Sequence, residues 1–218
     1  MTAYKGTRWA IFALFFLSGG CALVYQITWM RLFRLVMGNT VFTSATVLTA
    51  FMAGLALGSF AAGRLTAPRR TGTSPNPLRA YAWLEVLIGL CGFVLAPAFA
   101  AIEPIYAWLY SLCADAPLML AFGRFLVSSA LLLVPATLMG ATLPLLSHFM
   151  TQRLDRMGRD LGRLYALNTL GAALGAALTG FLLLPALGVQ TTLWAAALTN
   201  LAIGLAAFGL ARPPAPSA

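Results

Sequence analysis

Long runs of uncharged, mostly apolar residues recur along this chain, and short basic segments separate them. The run that organises the others extends over 29 residues, from Leu35 to Gly63, and is followed by Arg64, Arg69 and Arg70. About 20 apolar residues cross the ~30 Å hydrocarbon core of a bilayer, because a helix rises ~1.5 Å per residue. The pattern therefore predicts transmembrane helices.

Taken over the whole chain, the pattern predicts an all-α membrane helix bundle with six transmembrane helices. Their expected ranges are about Trp9–Gln26, Val41–Arg64, Arg79–Ala101, Leu118–Phe149, Leu164–Leu184 and Gln190–Leu210. The last two share 48 residues without formal charge, and the segment from Pro185 to Gly188 supplies a turn between them. We expect one transmembrane domain over residues 1–211 and a disordered, proline-rich tail over residues 212–218.

The N-terminus has the charge pattern of a signal peptide, with Lys5 and Arg8 before an apolar stretch. The uncharged run from Trp9 to Met30 has 22 residues, however, which is enough for a full span. We interpret it as a retained signal anchor. Beyond it, the mixture of aromatic, amide and basic residues from Tyr25 to Arg34 indicates a membrane interface or a re-entrant turn.

The basic residues are unevenly distributed. Eleven of the fourteen fall on one side of the six-helix arrangement, at positions 5, 8, 64, 69, 70, 79, 153, 156, 159, 163 and 212. Short loops rich in Lys and Arg remain in the cytoplasm. We therefore expect a multi-pass protein of the bacterial inner membrane with both termini in the cytoplasm.

Small residues mark two helix faces that could approach another helix closely. In the second expected helix, Gly54, Gly58 and Ala62 recur every four residues, and Gly171 and Gly175 repeat the device in the fifth. Such faces let backbones meet, because no long side chain separates them. We expect these two helices to pair with each other.

Composition excludes several classes of function. The chain is 61% hydrophobic and 9% charged, with a mean hydropathy of +0.87. Its formal charge of +9 lies in short loops between apolar runs, which argues against nucleic-acid binding. Three widely spaced cysteines form neither a disulfide framework nor a metal motif. No nucleophile–base set or phosphate-binding loop is present, so we expect no resident catalytic site, metal or cofactor.

Glu85 is the strongest candidate for chemistry. It lies six residues beyond Arg79 in the third expected helix, roughly 9 Å along the axis. An ionised group at that depth costs up to a few kcal/mol unless it is paired or hydrated. Arg64 and Arg163 are candidate partners. A structural ion pair and a substrate or proton site both remain open.

Other polar residues could contribute to a substrate site. These candidates are Gln26, Tyr25, Trp29, Arg124 and Asn168. The first three could line an outer vestibule or form an interfacial belt. Arg124 could snorkel to the interface or pair with Glu103 or Asp115 on the same side, and Asn168, like Asn200, could bridge helices instead of binding a ligand.

Several motifs together resemble one known family. They are Ser18-Gly19, Tyr25-Gln26 and Trp29 in the first helix, Phe51 to Ser59 with Gly63-Arg64 in the second, Pro77 to Arg79 and Leu84-Glu85 in the third, Leu138 to Gly140 and Leu143-Pro144 in the fourth, and Tyr165 to Thr169 with Gly171 in the fifth. They resemble the membrane domain of the bacterial fused major-facilitator/spermidine-synthase-like proteins, over nearly the whole chain.

The resemblance implies two alternative functions. In that family a multi-helix membrane domain precedes a soluble aminopropyltransferase-like domain, and we expect this chain to lack that domain. We therefore expect a membrane subunit or anchor for a separately encoded spermidine-synthase-like enzyme. The alternative is a transport or binding unit for a polyamine or related metabolite. Six helices equal half of a major-facilitator fold, so such a unit would function as a homo-oligomer or with a partner.

The expected orientation can be tested with reporter fusions. Fusions after Arg70, Met157 and Ser217 should report a cytoplasmic location, and a fusion near Asp115 should report the outside, because basic loops are retained in the cytoplasm. An outside signal at Met157 would contradict the six-helix arrangement.

Overall fold

The structure is a computed structural model that describes residues 2–66, 76–150 and 157–211. Every regular element in these ranges is helical, and no strand occurs among them. The all-α fold class is therefore confirmed. The expected tail over residues 212–218, and most of the loops after the second and fourth expected helices, lie outside the described residues.

Seven α-helices follow one another along the described ranges. They are α1 (Thr2–Met37), α2 (Val41–Thr66), α3 (Pro77–Ala98), α4 (Ile102–Cys113), α5 (Pro117–Met150), α6 (Met157–Leu178) and α7 (Leu184–Leu210). A 3-10 turn (Phe99–Ala101) joins α3 to α4, and a five-residue π-helical segment (Thr179–Leu183) joins α6 to α7. The short helix α4 lies between the third and fourth of the six expected helices.

Five helical stretches are long and apolar enough to cross a membrane. They are Gly6–Met37, Val41–Thr66, Pro77–Leu95, Pro117–Met150 and Gly158–Leu210. Large apolar side chains also remain exposed on the outer faces of the bundle, among them Met52, Trp83 and Leu126. An apolar exterior of this kind is what a lipid-facing surface requires. Both features are compatible with a membrane protein.

Helix α1 is longer than its sequence predicts. The expected end near Gln26 and the possible re-entrant turn are both wrong, because the helix continues to Met37. Tyr25, Trp29 and Phe33 recur at helical spacing and are fully buried, so this face packs into the bundle. The first glycine with positive φ in this region, Gly38 at 87°, follows the end of the helix.

The last stretch, Gly158–Leu210, contains a reversal of direction at Gly188. This residue has a φ of 74° and a ψ of 179°, a conformation that favours glycine. The helices on the two sides of Gly188 run in opposite directions, as their contacts with α1 and α3 show. Helix α6 lies parallel to α1, whereas α7 lies antiparallel to α3, which is itself parallel to α1. The expected turn is therefore present in this segment.

Pairs of contacts establish these directions. Arg8 meets Asp160 and Gly20 meets Gly175, so α1 and α6 advance together. Along α1 and α3, Phe15 packs on Tyr81 and Phe33 on Phe99. Along α3 and α7, Gly89 lies against Ala197, while Gly204 lies against Ala82, which reverses the order.

The two small-residue faces do not pack against each other, contrary to expectation. Gly58 on α2 lies so close to the Thr137 carbonyl on α5 that an added Cβ would overlap it, and Gly171 on α6 meets the Phe16 carbonyl on α1 in the same way. The physical reason is that α5 and α1 have small residues of their own, Gly140 and Gly20, at the facing positions. Each glycine face therefore packs on its own partner helix and not on the other glycine face.

The helix contacts also have an internal two-fold pattern. Exchanging α1, α2 and α3 with α5, α6 and α7 converts the α2–α5 contact into the α6–α1 contact and the α3–α5 contact into α7–α1. The α3–α7 contact is converted into itself. Helices α1 and α2 are antiparallel, since Trp29 meets Phe51 and Arg34 meets Ser44. Helices α2 and α5 are parallel, since Gly54 meets Ala136 and Ser59 meets Gly140. Because α1 and α5 therefore run in opposite directions, the two three-helix units are related as inverted repeats.

The buried side chains form two apolar clusters with a polar layer between them. One cluster contains Trp29, Phe51 and Ile88, and the other contains Phe15 and Leu146. Between the two clusters, the buried residues of four helices are polar. They are Ser18 on α1, Glu85 on α3, Thr142 on α5 and Asn200 on α7.

The α2–α5 contact can be tested by filling it. Gly58→Leu should lower the free energy of unfolding by about 2 kcal/mol or more, because the new side chain would meet the α5 backbone. Gly63→Leu is the matched control on the same helix, since nothing lies within 4 Å of a Cβ at Gly63. Thermal unfolding in detergent measures both variants. Equal melting temperatures would mean that α2 and α5 do not pack in this way.

Candidate functional site

The candidate site is built around Glu85, whose side chain is completely buried in the polar layer. Its position follows from the start of α3. The Asn76 side chain accepts a hydrogen bond from the Leu78 backbone nitrogen at 3.0 Å, and Pro77 occupies the first helical turn. Both are strong signals for helix initiation. The helix then places Glu85 on the same buried face as Tyr81 and Ile88.

Two other helices supply the hydrogen bonds to the Glu85 carboxyl group. Ser18 Oγ on α1 donates to Oε1 at 2.6 Å, and Asn200 Nδ2 on α7 donates to Oε2 at 2.5 Å. These donors lie 67 and 115 residues away in the sequence. The Tyr81 hydroxyl interacts with the same carboxyl group without hydrogen-bond geometry. One carboxyl group thus connects α1, α3 and α7.

The expected arginine partners of Glu85 are not in contact with it. Arg64 lies at the end of α2 with its guanidinium 4.3 Å from the centre of the Phe60 ring, and Arg163 is exposed on α6. Both remain at the basic end of the bundle, whereas Glu85 lies at the level of Ser18. Ser18 is ten residues, roughly 15 Å, beyond Arg8. Of the two alternatives left open for Glu85, the structural ion pair with Arg64 or Arg163 is therefore not formed among the described residues.

A small cavity of about 100 Å³ lies beside this carboxyl group. Its polar lining residues are Ser18, Thr142, Asn168 and Asn200, and its apolar wall includes Phe51, Leu55, Ile88 and Met139. Since one water occupies about 30 Å³ of liquid, the space corresponds to roughly three waters or three to four non-hydrogen atoms. It is smaller than the ~300–1,000 Å³ typical of a pocket that encloses a small molecule.

Two polar atoms in this layer have no hydrogen-bond partner in the described part of the chain. They are Asn200 Oδ1 and the Tyr81 hydroxyl oxygen, both buried. Buried polar atoms are normally paired, so each is a point at which a ligand or a water could bind. Asn200 Oδ1 adds an unpaired acceptor to the two carboxyl oxygens of Glu85, whereas the neighbouring Tyr81 hydroxyl can donate as well as accept.

The residues expected in an outer vestibule face two different sides of α1. Tyr25 and Trp29 are fully buried and stack on each other, with ring centroids 5.2 Å apart. Gln26 instead lines an open groove of about 850 Å³ on another side of the helix, together with Arg31 and Arg34. These three candidates therefore do not share one cavity.

The remaining two candidates are also far apart in the fold. The Arg124 guanidinium lies 5.7 Å from the centre of the Tyr106 ring, and no ion pair links it to Glu103 or Asp115. Asn168 lines the small cavity, and its backbone carbonyl lies against Gly19. Among the six sequence candidates, only Glu85 and Asn168 thus lie at the polar layer.

Sequence reasoning missed two groups at this site and one contact outside it. Ser18 was part of the family-like motifs without a role of its own, and Tyr81 was given no role. Asn200 does bridge two helices, α7 and α3, as one of its expected roles required. The available signal was position, since Tyr81 lies one turn before Glu85 on the same face. The missed contact elsewhere is the ion pair between Arg8 Nη2 and Asp160 Oδ1, at 2.6 Å, which joins the starts of α1 and α6.

The described residues contain no group of three or more His, Cys, Asp or Glu side chains that could hold a metal ion. The chemistry available at the site is therefore hydrogen bonding and charge, supplied by one carboxyl group, two amides and hydroxyl groups.

Comparison with known proteins gives two similar sequences. Polyamine aminopropyltransferase 2 of Streptomyces coelicolor is 30% identical over 206 residues, which are 91% of this chain and 33% of the relative. Polyamine aminopropyltransferase 1 of the same organism is 25% identical over 185 residues, which are 84% of this chain and 30% of the relative. The chain thus spans about a third of the length of these curated relatives. No family model matches it, and neither does a solved structure.

This similarity is weak but covers most of the chain. It indicates a spermidine-synthase-like relationship, and it falls on a sequence whose described residues are almost entirely helical.

Proposed function

We propose that this chain is a six-span membrane unit that anchors a spermidine-synthase-like enzyme at the bacterial inner membrane. The observation that carries the proposal is the extent of the similarity. Nearly all of this apolar chain aligns with only about a third of each polyamine aminopropyltransferase. The remaining two thirds of those relatives have room for a soluble domain, which this membrane unit would hold at the bilayer.

The distribution of charge supports the orientation that an anchor needs. Exposed arginines gather at the end of the bundle that is marked by the Arg8–Asp160 ion pair, namely Arg64, Arg79, Arg159 and Arg163. By the positive-inside rule this end faces the cytoplasm. A basic surface at that end would be available to a soluble enzyme or enzyme domain.

The inverted two-fold pattern of helix contacts supports the six-span arrangement and the likeness to half of a major-facilitator fold. Each half of such transporters contains two inverted three-helix repeats. The reversal at Gly188 divides the 53-residue stretch Gly158–Leu210 into two oppositely directed helices. With the four other apolar stretches, this gives six crossings.

The anchor function can be tested by fractionation. Cells that express this chain together with the spermidine-synthase-like enzyme that it would anchor are separated into membrane and cytosolic fractions. Spermidine formation is then measured in each fraction. We expect the activity in the membrane fraction, and we expect deletion of residues 1–211 to move it to the cytosol. Activity that stays cytosolic while this chain is in the membrane would contradict the anchor function.

A second candidate function, binding or transport of a polyamine, is favoured by one observation. Glu85 is a buried carboxyl group without a cationic side chain in contact among the described residues. An intramembrane acid of this kind is suited to an organic cation. The small cavity is lined by Ser18 and Asn200, the two hydrogen-bond partners of Glu85, and by Asn168, but not by the carboxyl group itself. The ammonium end of a polyamine in this cavity would be attracted to the carboxyl group across these two partners, and the cavity would not enclose the whole molecule.

Two substitutions at Glu85 separate a structural role from cation binding. Glu85→Leu should lower the free energy of unfolding by about 2 kcal/mol or more, because it leaves Ser18 and Asn200 without their acceptor. Glu85→Gln should fold nearly as well as the wild type, since its amide oxygen can accept from Asn200 and its amide nitrogen can donate to the Ser18 hydroxyl.

Spermidine binding to the same proteins in detergent supplies the second measurement. If Glu85 belongs to a cation site, Glu85→Gln should bind spermidine at least ten-fold more weakly than the wild type. The control Glu103→Gln removes an exposed carboxylate on α4 and should bind spermidine like the wild type. Absence of spermidine binding to the wild-type protein would eliminate the second candidate function.

A further inference from the structure

An open groove lies between the last turns of α1 and the segment that joins α6 to α7. Its volume is about 850 Å³, within the range of ligand pockets. The polar lining residues are Gln26, Arg31, Arg34 and Asn39. The deeper part of the groove is apolar, because its lining residues there are Leu23, Ile27, Gly180 and Leu184. Apart from Leu23, which also lines the small cavity, the groove shares no lining residue with the carboxyl site, and the anchor function does not involve it.

The position of the groove along α1 places it at one boundary of the bilayer. Arg31 lies 23 residues after Arg8, which is roughly 35 Å along the helix axis. The hydrocarbon core is ~30 Å thick, so these two arginines lie near opposite interfaces. Ile27 and Leu23 lie one and two turns closer to the bilayer centre, at the depth of acyl chains.

The charge in the groove is not neutralised by the protein. Arg31 and Arg34 are three residues apart and so lie on neighbouring positions of one helix face. Among the described residues neither forms an ion pair, and no acidic residue lines the groove. Arg34 uses Nη2 to donate to Ser44 Oγ at 3.1 Å, which leaves other guanidinium donors available.

The π-helical segment contributes Gly180 to the wall of the groove. Gly180 lies within this segment, and nothing is found within 4 Å of a Cβ built on it. A larger side chain there would therefore extend into open space instead of into a neighbouring helix. The groove is thus cationic at the interface, apolar at the hydrocarbon depth and open to the side.

We propose that this groove binds an anionic phospholipid. The phosphate would bind to Arg31 and Arg34, which can hold its oxygens by charge-assisted hydrogen bonds, and one acyl chain would lie along Leu23, Ile27 and Leu184. A soluble anion would use the two arginines but leave the apolar part of the groove uncovered. The proposal concerns a lipid and is independent of the anchor function.

Native mass spectrometry of the full chain, released from detergent with added phosphatidylglycerol, tests the proposal. The wild-type protein should retain one phosphatidylglycerol in preference to phosphatidylcholine. Arg31→Gln and Arg34→Gln should each weaken retention about five-fold, as expected for the loss of one surface cation facing an anionic lipid. Gly180→Trp should abolish retention by filling the groove while keeping both charges.

Two matched controls accompany these variants. Arg79→Gln removes an exposed arginine at the other end of the bundle, and Gly209→Trp adds the same bulk at a second glycine with nothing within 4 Å of its Cβ. Both should retain the lipid like the wild type. If an arginine variant does not fold, Gly180→Trp decides the question by itself.

Three results would overturn the proposal. Equal retention of phosphatidylcholine would show that the arginines do not recognise the headgroup charge. Displacement of the lipid by equimolar inorganic phosphate, or binding of phosphate that Gly180→Trp leaves intact, would identify a site for a soluble anion instead. Failure of the wild-type protein to retain phosphatidylglycerol would exclude the lipid site altogether.

Discussion

The burial of one carboxyl group between two apolar clusters constrains the whole bundle. A carboxyl group in such surroundings is costly unless its oxygens accept hydrogen bonds, and the helix that carries it cannot supply them because its own backbone is already paired. Glu85 obtains them from Ser18 on α1 and Asn200 on α7. A shift of either helix by one turn would break a bond. The carboxyl group therefore fixes the relative positions of three helices in a way that apolar contacts, which tolerate sliding, do not.

Close backbone contacts fix the remaining helices. Gly58 and Gly140 bring α2 and α5 together, as Gly171 and Gly175 bring α6 to α1. The two contacts are equivalent under the internal two-fold pattern, and the α3–α7 contact lies at its centre. Asn200 reaches Glu85 across this central contact. The polar layer thus lies where the two inverted units meet, so each unit positions groups that the other must satisfy.

Different parts of this architecture could be read from the sequence to different extents. The all-α class, the ranges of α2 and α5 and the turn at Gly188 follow from apolar runs and from glycine and proline, which act locally. The pairing of Gly58 could not be predicted, because every small-residue face is compatible with every other. The partners of Glu85 were missed because charge drew attention to arginines, although a hydroxyl and an amide 67 and 115 residues away lie closer. Tyr25 and Gln26 are adjacent in sequence but face different sides of α1, and only packing decides which side is buried.

The polar layer also bears on which function the chain can perform. A polyamine that crossed the membrane through the interior of one bundle would have to pass the level of Glu85, yet the space beside this residue is only about 100 Å³ and apolar clusters lie above and below it. Passage would require α3 and α7 to separate, although Gly89 and Gly204 hold them in close contact. Separation would also remove the Asn200 hydrogen bond from the carboxyl group. The close contact of α3 with α7 and the Asn200 hydrogen bond thus oppose an open pathway through one copy of the bundle, which favours the proposed anchor function.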